Sequence, residues 1–394
     1  MSEPIRPWSC PFCPLLCDGF GVSHAQPDGA LTLVDSDCPR ARAALARFGA
    51  ASASPRAAGR ACTLDEAVDS AARQLAASRQ PLFGGLGTDV AGARALYGLA
   101  CATGAISDPA QGRGLTMGLR ALQDRGVFNT TLAEVKTRAD LVVFFGGAPA
   151  PRLPEFARRV GLAPDDERIV VIAESGDPFT AAARLAALVE GRAVDGAPAE
   201  LQALAARLLA ARYAVLVYEP GRLPAQGELI VEALQRVVAT LNRKTRAASL
   251  ALGGGDGAAT VNQVFAWLSG LPLRSRAGPH GLEHEPLRFD AQRLLDDGGV
   301  DLLLWIASFG TEAAPPATAL PTIVLGHPAT ATDRAGVFIP VATPGIGSAG
   351  HLFRTDGVVM IPLHAVRPEP LPTVAEVLQR LLAALQALKT EQAA

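Results

Sequence analysis

Four cysteines near the start of the chain are the residues whose type and spacing most clearly suggest chemistry. Cys10, Cys13, Cys17 and Cys38 follow the pattern C-x2-C-x3-C-x20-C, so four of the six cysteines lie within 29 residues. Thiolates are soft ligands that suit iron–sulfur clusters and tetrahedral zinc, and this spacing lets all four reach one centre without a long chain closure. The spacing predicts a metal site, with unrelated buried cysteines or a disulfide as the alternatives.

The rest of the cysteine content and the absence of targeting segments set the expected compartment. Cys62 and Cys101 stand at apolar positions among alanines, and we expect both to be core residues. Residues 1–10 lack the apolar run of a signal peptide, and no stretch of about 20 apolar residues could span a bilayer. We therefore expect a cytoplasmic protein, and in that compartment a disulfide is an uncommon use of clustered cysteines.

Length and composition indicate a globular chain without the excess of positive charge that is typical of proteins that bind nucleic acids or anionic membranes. The 394 residues suffice for two or three packed domains, and 49% apolar content with 19% charge is typical of buried cores. The net charge of −2 gives no reason to expect a nucleic-acid partner or an anionic membrane surface.

Residues 1–56 are predicted to form a small first unit held together by the cysteines. Leu31–Val34 is predicted to be a short strand after a turn at Gln26–Gly29. Ala41–Phe48 is predicted to be a helix leading away from Cys38. The Ala-, Ser- and Pro-rich segment Gly49–Gly59 is predicted to be a linker.

Residues 57–394 alternate between helical patterns and short apolar runs. A capping box, Thr63 to Glu66, opens the first helix, and Ala91–Ala102 is another helix. The runs are continuous rather than alternating, which predicts parallel strands buried on both faces and an α/β fold. They are Pro81–Gly85, Leu141–Gly147, Ile169–Ala173, Ala214–Tyr218, Ala248–Leu252, Leu302–Ile306 and Thr322–Leu325.

Several of these strands end in glycines, where a doubly wound sheet would bind a ligand. Gly84-Gly85, Gly146-Gly147 and Gly253–Asp256 are such ends. None of them forms a G-x-G-x-x-G fingerprint followed by an acidic residue about 20 positions later, so ordinary turn chemistry is the favoured interpretation.

The histidines do not form a recognisable metal or catalytic motif. His280 and His284 are four residues apart, as ligands on a helix would be, but Pro279, Gly281 and Pro286 predict a loop. No nucleophile elbow, H-E-x-x-H, P-loop or EF-hand pattern occurs.

The order of the segments resembles the molybdopterin and tungstopterin oxidoreductases, and most of the chain resembles the B-type subunit of formylmethanofuran dehydrogenase. The resemblance implies doubly wound, mostly parallel domains of molybdopterin-oxidoreductase type, with residues 57–394 as two interleaved α/β subdomains. The segments that carry it, beside the cysteines, are Ala102–Ile106, Ala121–Asp124, Leu132–Asp140 with the strand after it, Pro344–Gly350 and Leu352–Gly357.

The departures from that family concern its catalytic centre. Its enzymes carry a metal-ligating cysteine or selenocysteine in a C-H-G-P segment, whereas Ser107–Arg120 here contains neither cysteine nor histidine. The enzymes also commonly place a lysine between cluster and pterin, and no lysine precedes Lys136. We therefore expect no molybdopterin or tungstopterin and no catalytic residue. Arg113 and Arg120 are expected to fill the vacated cleft by pairing with carboxylates.

A degenerate B-type subunit most resembles that of the bacterial formyltransferase/hydrolase complex of methylotrophs. The resemblance implies a non-catalytic structural subunit of a complex that converts a formyl group on a methanofuran-like carrier to formate. Its partners would be the amidohydrolase-like A-type, the C-type and the formyltransferase D-type subunits. The alternatives are an active pterin-dependent formylmethanofuran dehydrogenase subunit and a free-standing iron–sulfur or zinc protein.

In the family, the cysteine unit binds a [4Fe-4S] cluster, so the resemblance implies a cluster-type site at Cys10, Cys13, Cys17 and Cys38. Zinc, or a vestigial and empty site, stays open because a subunit without electron transfer has no need of a redox cluster. The apolar composition and lysine-free loops such as Gly278–Pro286 predict an interface with companion subunits above about 2,000 Å².

Overall fold

The computed structural model describes residues 4–24, 29–48, 53–110, 112–149, 152–163, 165–172, 176–310, 313–330, 335–367 and 369–393. The helices are α1 (Pro39–Leu45), α2 (Leu64–Ala77), α3 (Val90–Thr103), α4 (Gly112–Arg125), α5 (Leu132–Arg138), α6 (Phe156–Arg159), α7 (Pro178–Val189), α8 (Ala199–Ala210), α9 (Glu228–Leu241), α10 (Ala258–Ser269), α11 (Ala291–Asp296) and α12 (Val374–Ala393). The strands are β1 (Ile5–Trp8), β2 (Phe20–His24), β3 (Leu31–Val34), β4 (Arg56–Ala57), β5 (Arg60–Ala61), β6 (Pro81–Gly87), β7 (Ile106–Pro109), β8 (Leu141–Phe145), β9 (Ile169–Ile172), β10 (Tyr213–Tyr218), β11 (Arg246–Ala251), β12 (Ser275–Gly278), β13 (Gly281–His284), β14 (Leu302–Ala307), β15 (Thr322–Gly326), β16 (Val337–Pro340), β17 (Gly350–Phe353) and β18 (Met360–Leu363).

The chain divides into two compact units. Unit 1 comprises Met1–Gly112, Gly254–Arg354 and Met360–Ala394, and unit 2 comprises Arg113–Gly253 and Thr355–Val359. The sequence-based boundary between residues 56 and 57 lies inside unit 1.

Unit 1 is built on a nine-stranded sheet in the order β13-β12-β7-β6-β14-β15-β16-β4-β5. The five central strands, from β7 to β16, are parallel, and the strands at both edges are antiparallel. Every residue of β14 and β15 is buried. Such strands carry apolar residues on both faces, which explains the unbroken runs in the sequence.

Unit 2 is built on a four-stranded parallel sheet in the order β11-β10-β8-β9. Its core contains Leu141, Val143 and Leu216 from the strands, Leu185 from α7 and Leu234 from α9. The edge strand β9 is only partly buried, whereas β8 is buried throughout. The predicted α/β class with mostly parallel sheets is confirmed.

The first residues of unit 1 form a small antiparallel sheet, β1-β2-β3. The strand predicted at Leu31–Val34 is present, whereas Gln26–Asp28 of the predicted turn lie outside the described residues. The predicted helix Ala41–Phe48 instead spans Pro39–Leu45. Proline at the first helical position has its φ angle already set for a helix, which moves the start towards Cys38.

Two expectations about loops were wrong. Arg56 and Ala57, in the predicted linker, pair antiparallel with β16 as β4. The segment around His284 is not a loop but an antiparallel hairpin, β12–β13, in which Gly278 pairs with Gly281. A two-residue strand such as β4 is too short to show a periodic sequence pattern. In the β12–β13 hairpin, Pro279 in the tight turn favours a loop prediction although strands lie on both sides of it.

The predicted capping box is confirmed at the start of α2. The Thr63 hydroxyl accepts the Glu66 N–H, and the Glu66 carboxylate accepts the Thr63 N–H at 2.7 Å. None of the helices in the described part of the chain combines the length and the apolar character needed to cross a bilayer.

Candidate functional site

The loop between β1 and β2 brings three of the four clustered cysteines together. The Cys10 N–H donates to the Cys17 carbonyl at 2.9 Å, and the Leu16 N–H donates to the Cys13 carbonyl at 3.2 Å. Strand β3 then leads to Cys38, which caps the start of α1. All four cysteines are buried and none is in a disulfide, which excludes the disulfide alternative for this structure.

The thiols of this loop are close enough to influence one another electrostatically. Burial raises the pKa of Cys10 well above its ordinary value, and the neighbouring Cys13, Cys17 and Cys38 raise it further. Burial also raises the pKa of Cys13, against the opposing effect of Arg40. A metal ion that binds Cys10 and Cys13 would therefore have to displace their protons.

Backbone donors are aimed at two of the sulfurs. The Phe12 N–H is directed at the Cys10 sulfur, and the Leu15 and Leu16 N–H groups are directed at the Cys13 sulfur. Such donors stabilise metal-bound thiolates, so the donor set fits a metal centre in kind. Even so, no group of three or more His, Cys, Asp or Glu side chains in the described ranges is arranged to hold a metal ion.

Aromatic packing fixes the cysteine loop within unit 1. Trp8 is fully buried, and its indole N–H donates to the Gly345 carbonyl at 2.8 Å. Its ring is 6.2 Å from that of Phe12, which lies 5.7 Å from Phe48. Arg40 donates to the Phe12 carbonyl at 2.7 Å. The loop is therefore held in place by its protein surroundings.

The other two cysteines are not core residues, contrary to the sequence-based expectation. Cys62 is half-buried and Cys101 is exposed. Cys101 lies on α3 beside Tyr97, with which it shares a hydrogen bond. Alanine-rich surroundings do not distinguish the two faces of a helix, because alanine is common on both.

Charged side chains of Ser107–Arg120, the segment at the position of the C-H-G-P motif, form ion pairs with other parts of the chain. Asp108, at the end of β7, is buried and accepts a hydrogen bond from the Arg274 Nε at 2.9 Å. Arg274 also donates to Asp290 at 2.5 Å and to the Pro286 carbonyl at 2.6 Å. Burial raises the pKa of Asp108 to about 6 despite the guanidinium beside it. This cluster of Asp108, Arg274 and Asp290 was not predicted, since Arg274 and Asp290 lie far from Asp108 in sequence.

The two arginines expected to pair with carboxylates behave differently. Arg120 forms an ion pair with Glu228 of α9, as predicted. Arg113 instead donates to the Leu223 carbonyl at 3.0 Å, so its predicted pairing is wrong. Met117, between them in sequence, is buried in the core of unit 2.

In unit 1 the strand order reverses between β6 and β14, and the described loops at this point contact one another directly. The N–H and hydroxyl of Ser308 both donate to the Gly87 carbonyl, at 3.1 and 2.7 Å. Beside it, Gly257 lies so close to Thr88 that a Cβ atom would stand 2.4 Å from the Thr88 carbonyl oxygen. Among the described residues, these strand ends are therefore tied together by close loop contacts.

Unit 2 keeps an open cleft of about 250 Å³ at the matching position, where its strand order reverses between β8 and β10. Phe145 and Gly146 from the end of β8 line it, together with Asp177 at the start of α7 and Glu219 after β10. The glycines at this strand end therefore border a cavity.

A buried histidine lies at the end of β15. His327 is 3% exposed, its Nδ1 accepts the Ala329 N–H at 3.1 Å, and its ring packs edge-on against Phe48 with centroids 4.5 Å apart. Burial, assisted by the charge of Arg47, lowers the pKa of His327 to about 4. Sequence reasoning missed this residue because no pattern separates it from surface histidines.

The depressed pKa of His327 predicts a loss of stability in acid. The unfolded chain binds a proton near pH 6.5 and the folded chain only near pH 4, so stability falls as the pH drops through this window, by about 3 kcal/mol in total. We expect His327→Asn, which keeps an acceptor near the Ala329 N–H, to remove this component in urea denaturation between pH 7 and pH 4. The raised pKa of Asp108 makes the folded protein more stable as the pH falls. This contribution is the same in the wild type and the variant, so it cancels when their pH profiles are compared. Parallel pH profiles of the two proteins would contradict the assignment.

Comparison of the sequence with known proteins identifies relatives along most of the chain. No family model matches it. The B-type subunit of the formyltransferase/hydrolase complex Fhc from Methylorubrum extorquens is 33% identical over 350 residues, which cover 82% of this chain and 95% of that protein.

The B-type subunit of the tungsten-containing formylmethanofuran dehydrogenase 2 is also similar. The protein of Methanocaldococcus jannaschii is 26% identical over 410 residues, covering 91% of this chain and 93% of that protein. The protein of Methanococcus maripaludis is 25% identical over 369 residues, covering 82% and 84%.

Among solved structures, the crystal structure of the complex FhcABCD from Methylorubrum extorquens with methylofuran contains a similar chain. The TM-score is 0.75 at 32% identity, and the match covers 86% of this chain and 100% of that chain. Both comparisons confirm the resemblance that the sequence motifs indicate.

Proposed function

The chain belongs to the family of B-type subunits of the formyltransferase/hydrolase complex, and on that premise we propose that it is the structural, non-catalytic subunit of such a complex. The complex would convert a formyl group on a methanofuran-like carrier to formate in one-carbon metabolism. The amidohydrolase-like A-type, the C-type and the formyltransferase D-type subunits would be its partners, and the cytoplasm its location.

One observation carries the non-catalytic role. Ser107–Arg120 contains no cysteine or histidine that could ligate tungsten or molybdenum. Its charged side chains are engaged within the chain instead, Asp108 with Arg274 and Arg120 with Glu228. Met117 offers only a neutral thioether and is buried. We therefore propose that the chain holds no pterin.

Co-expression tests this assignment. We expect the tagged chain to co-purify with the A-, C- and D-type subunits, to bury more than about 2,000 Å² against them, and to be poorly soluble when expressed alone. A well-behaved monomer that fails to bind these subunits would contradict the proposal.

We further propose that Cys10, Cys13, Cys17 and Cys38 hold a metal centre. A [4Fe-4S] cluster is the expected occupant because the family resemblance implies one, and backbone N–H groups are directed at two of the sulfurs. The proposal rests on donor type and on the resemblance, since no group of three or more His, Cys, Asp or Glu side chains in the described ranges is arranged as a metal site. Zinc would use the same four donors as a closed tetrahedral site.

Elemental analysis of chain purified without oxygen tests the metal centre. We expect about four iron atoms per chain, no tungsten or molybdenum, and loss of the iron in Cys10→Ala and Cys38→Ala. The exposed Cys101 provides the control, since Cys101→Ala should keep its metal. A content of about one zinc atom per chain would instead indicate that the four cysteines bind zinc. No metal, or equal metal in all variants, would rule out both.

A further inference from the structure

The open cleft of unit 2 occupies the position at which doubly wound sheets bind small molecules. The strand order β11-β10-β8-β9 reverses between β8 and β10, and the cleft lies beyond the carboxyl ends of these two strands. Its other wall is the start of α7. The cysteine loop belongs to unit 1 and contributes no lining residue.

The cleft has room for a compact ring system. Its volume is about 250 Å³, and among the described residues no atom lies within 4 Å of a Cβ added at Gly146 or Gly176. Phe145, Ile172 and Leu223 contribute apolar walls. Pockets of this kind draw most of their affinity from apolar contact.

The charges around the cleft disfavour a phosphate. Doubly wound sheets hold phosphate on the free N–H groups of a helix N-terminus, but Asp177 already accepts the N–H groups of Phe179 and Thr180, at 3.2 and 3.0 Å. The Thr180 hydroxyl, which also donates to this carboxylate, and then the two N–H groups lower the pKa of Asp177, so a negative charge stands where the phosphate would bind.

The second carboxylate in the lining is also engaged. Glu219 is held by two hydrogen bonds from Arg152, at 2.8 and 2.5 Å. Arg222 contributes a positive charge to the lining, so the charges of the described residues here, with Arg152 included, sum to about zero.

We propose that this cleft binds an uncharged, mostly apolar aromatic molecule of about ten non-hydrogen atoms and discriminates against its phosphorylated form. The charge of Asp177 is the determinant of that discrimination. The proposal rests on unit 2 alone and does not depend on the role of the chain in a complex.

Fluorescence titration of the full chain with 2-naphthol and 2-naphthyl phosphate, which differ only in the phosphate, tests the proposal. We expect saturable binding of 2-naphthol with a Kd on the order of 0.1–1 mM. Binding of 2-naphthyl phosphate is expected to be at least about tenfold weaker, equivalent to about 1.4 kcal/mol.

Two variants separate the charge of the cleft from its shape. Asn caps a helix as well as Asp does, so Asp177→Asn should leave 2-naphthol binding unchanged and strengthen binding of the phosphate at least about threefold. Ala181→Leu should fill the cleft and weaken 2-naphthol binding at least about tenfold, with the circular dichroism spectrum unchanged. If Ala181→Leu does not fold, the binding of the two ligands by Asp177→Asn is sufficient to test the proposal.

Three results would overturn the proposal. They are phosphate binding as tight as that of 2-naphthol in the wild type, an unchanged preference in Asp177→Asn, and no saturable 2-naphthol binding at ten times the expected Kd. Unchanged 2-naphthol binding by folded Ala181→Leu would likewise overturn the assignment to this cleft.

Discussion

Replacement of Arg274 by methionine is expected to lower the free energy of unfolding by about 3–5 kcal/mol. Arg274 is 5% exposed and lies between the carboxylates of Asp108 and Asp290. Methionine matches the arginine side chain as far as its Nε position, so the main change is the loss of the guanidinium group. Asp108 would then be a buried carboxylate without a counter-charge, which is the costly part of breaking a buried ion pair. Urea denaturation followed by circular dichroism measures the loss.

A surface arginine supplies the matched control. Arg293 and Asp297 form an exposed ion pair four residues apart in sequence, at 3.2 Å. Arg293→Met should change stability by no more than about 0.5 kcal/mol, because water screens exposed pairs. The double variant Arg274→Met with Asp108→Asn should recover part of the loss. If the two arginine variants lost the same free energy of unfolding, burial of the ion pair would not be the cause of the loss.

Replacement of Gly257 by alanine is expected to destabilise the chain by about 2–5 kcal/mol. An added Cβ would stand 2.4 Å from the carbonyl oxygen of Thr88 and 2.7 Å from its nitrogen. These are backbone atoms of a buried residue, so they cannot move aside as a flexible side chain would. The φ angle of +76° adds the penalty of a left-handed backbone for any residue with a side chain. Thermal and urea unfolding both report the loss.

Gly253, in the same glycine-rich stretch, distinguishes crowding from a general need for glycine. An added Cβ there meets no atom within 4 Å, and the residue has no positive φ angle. Gly253→Ala should stay within about 0.5 kcal/mol of the wild type. A Gly257→Ala protein as stable as Gly253→Ala would mean that the loops at these strand ends of unit 1 are not packed as described.

The fold could be predicted from the sequence where a local pattern dictates the structure. The continuous apolar runs at Leu141 and Leu302 indicate strands covered on both faces, because only such strands need apolar residues at every position. The Thr63 capping box marks a helix start for the same local reason. The pairing of Arg56 with β16 depends on residues far away in the sequence, and no local pattern carries that information.

The candidate site was predicted only in part. The spacing of Cys10, Cys13, Cys17 and Cys38 predicts a shared site, and the structure shows that all four are buried and free of disulfides. Their role as metal ligands stays a prediction. The cluster of Arg274 with Asp108 requires the topology of unit 1, and the pKa of His327 requires knowledge of its burial. The sequence shows which side chains could take part in a site. Their pKa values depend on burial and on contacts with residues far away in the sequence.

The proposed non-catalytic role requires contacts that stabilise the fold without a pterin. The segment that lacks the thiolate forms ion pairs through Asp108 and Arg120, and Ser308 donates a hydrogen bond to the Gly87 carbonyl. We propose that such contacts take over this stabilising role.

A reconstitution in which formate release from the formyl carrier is measured tests the structural role of the chain directly. We expect that the isolated chain releases no formate, that the complex of all four subunits is active, and that omitting this chain impairs assembly. Formate production by the isolated chain, or full activity and assembly of the other three subunits without it, would contradict its role as a structural subunit.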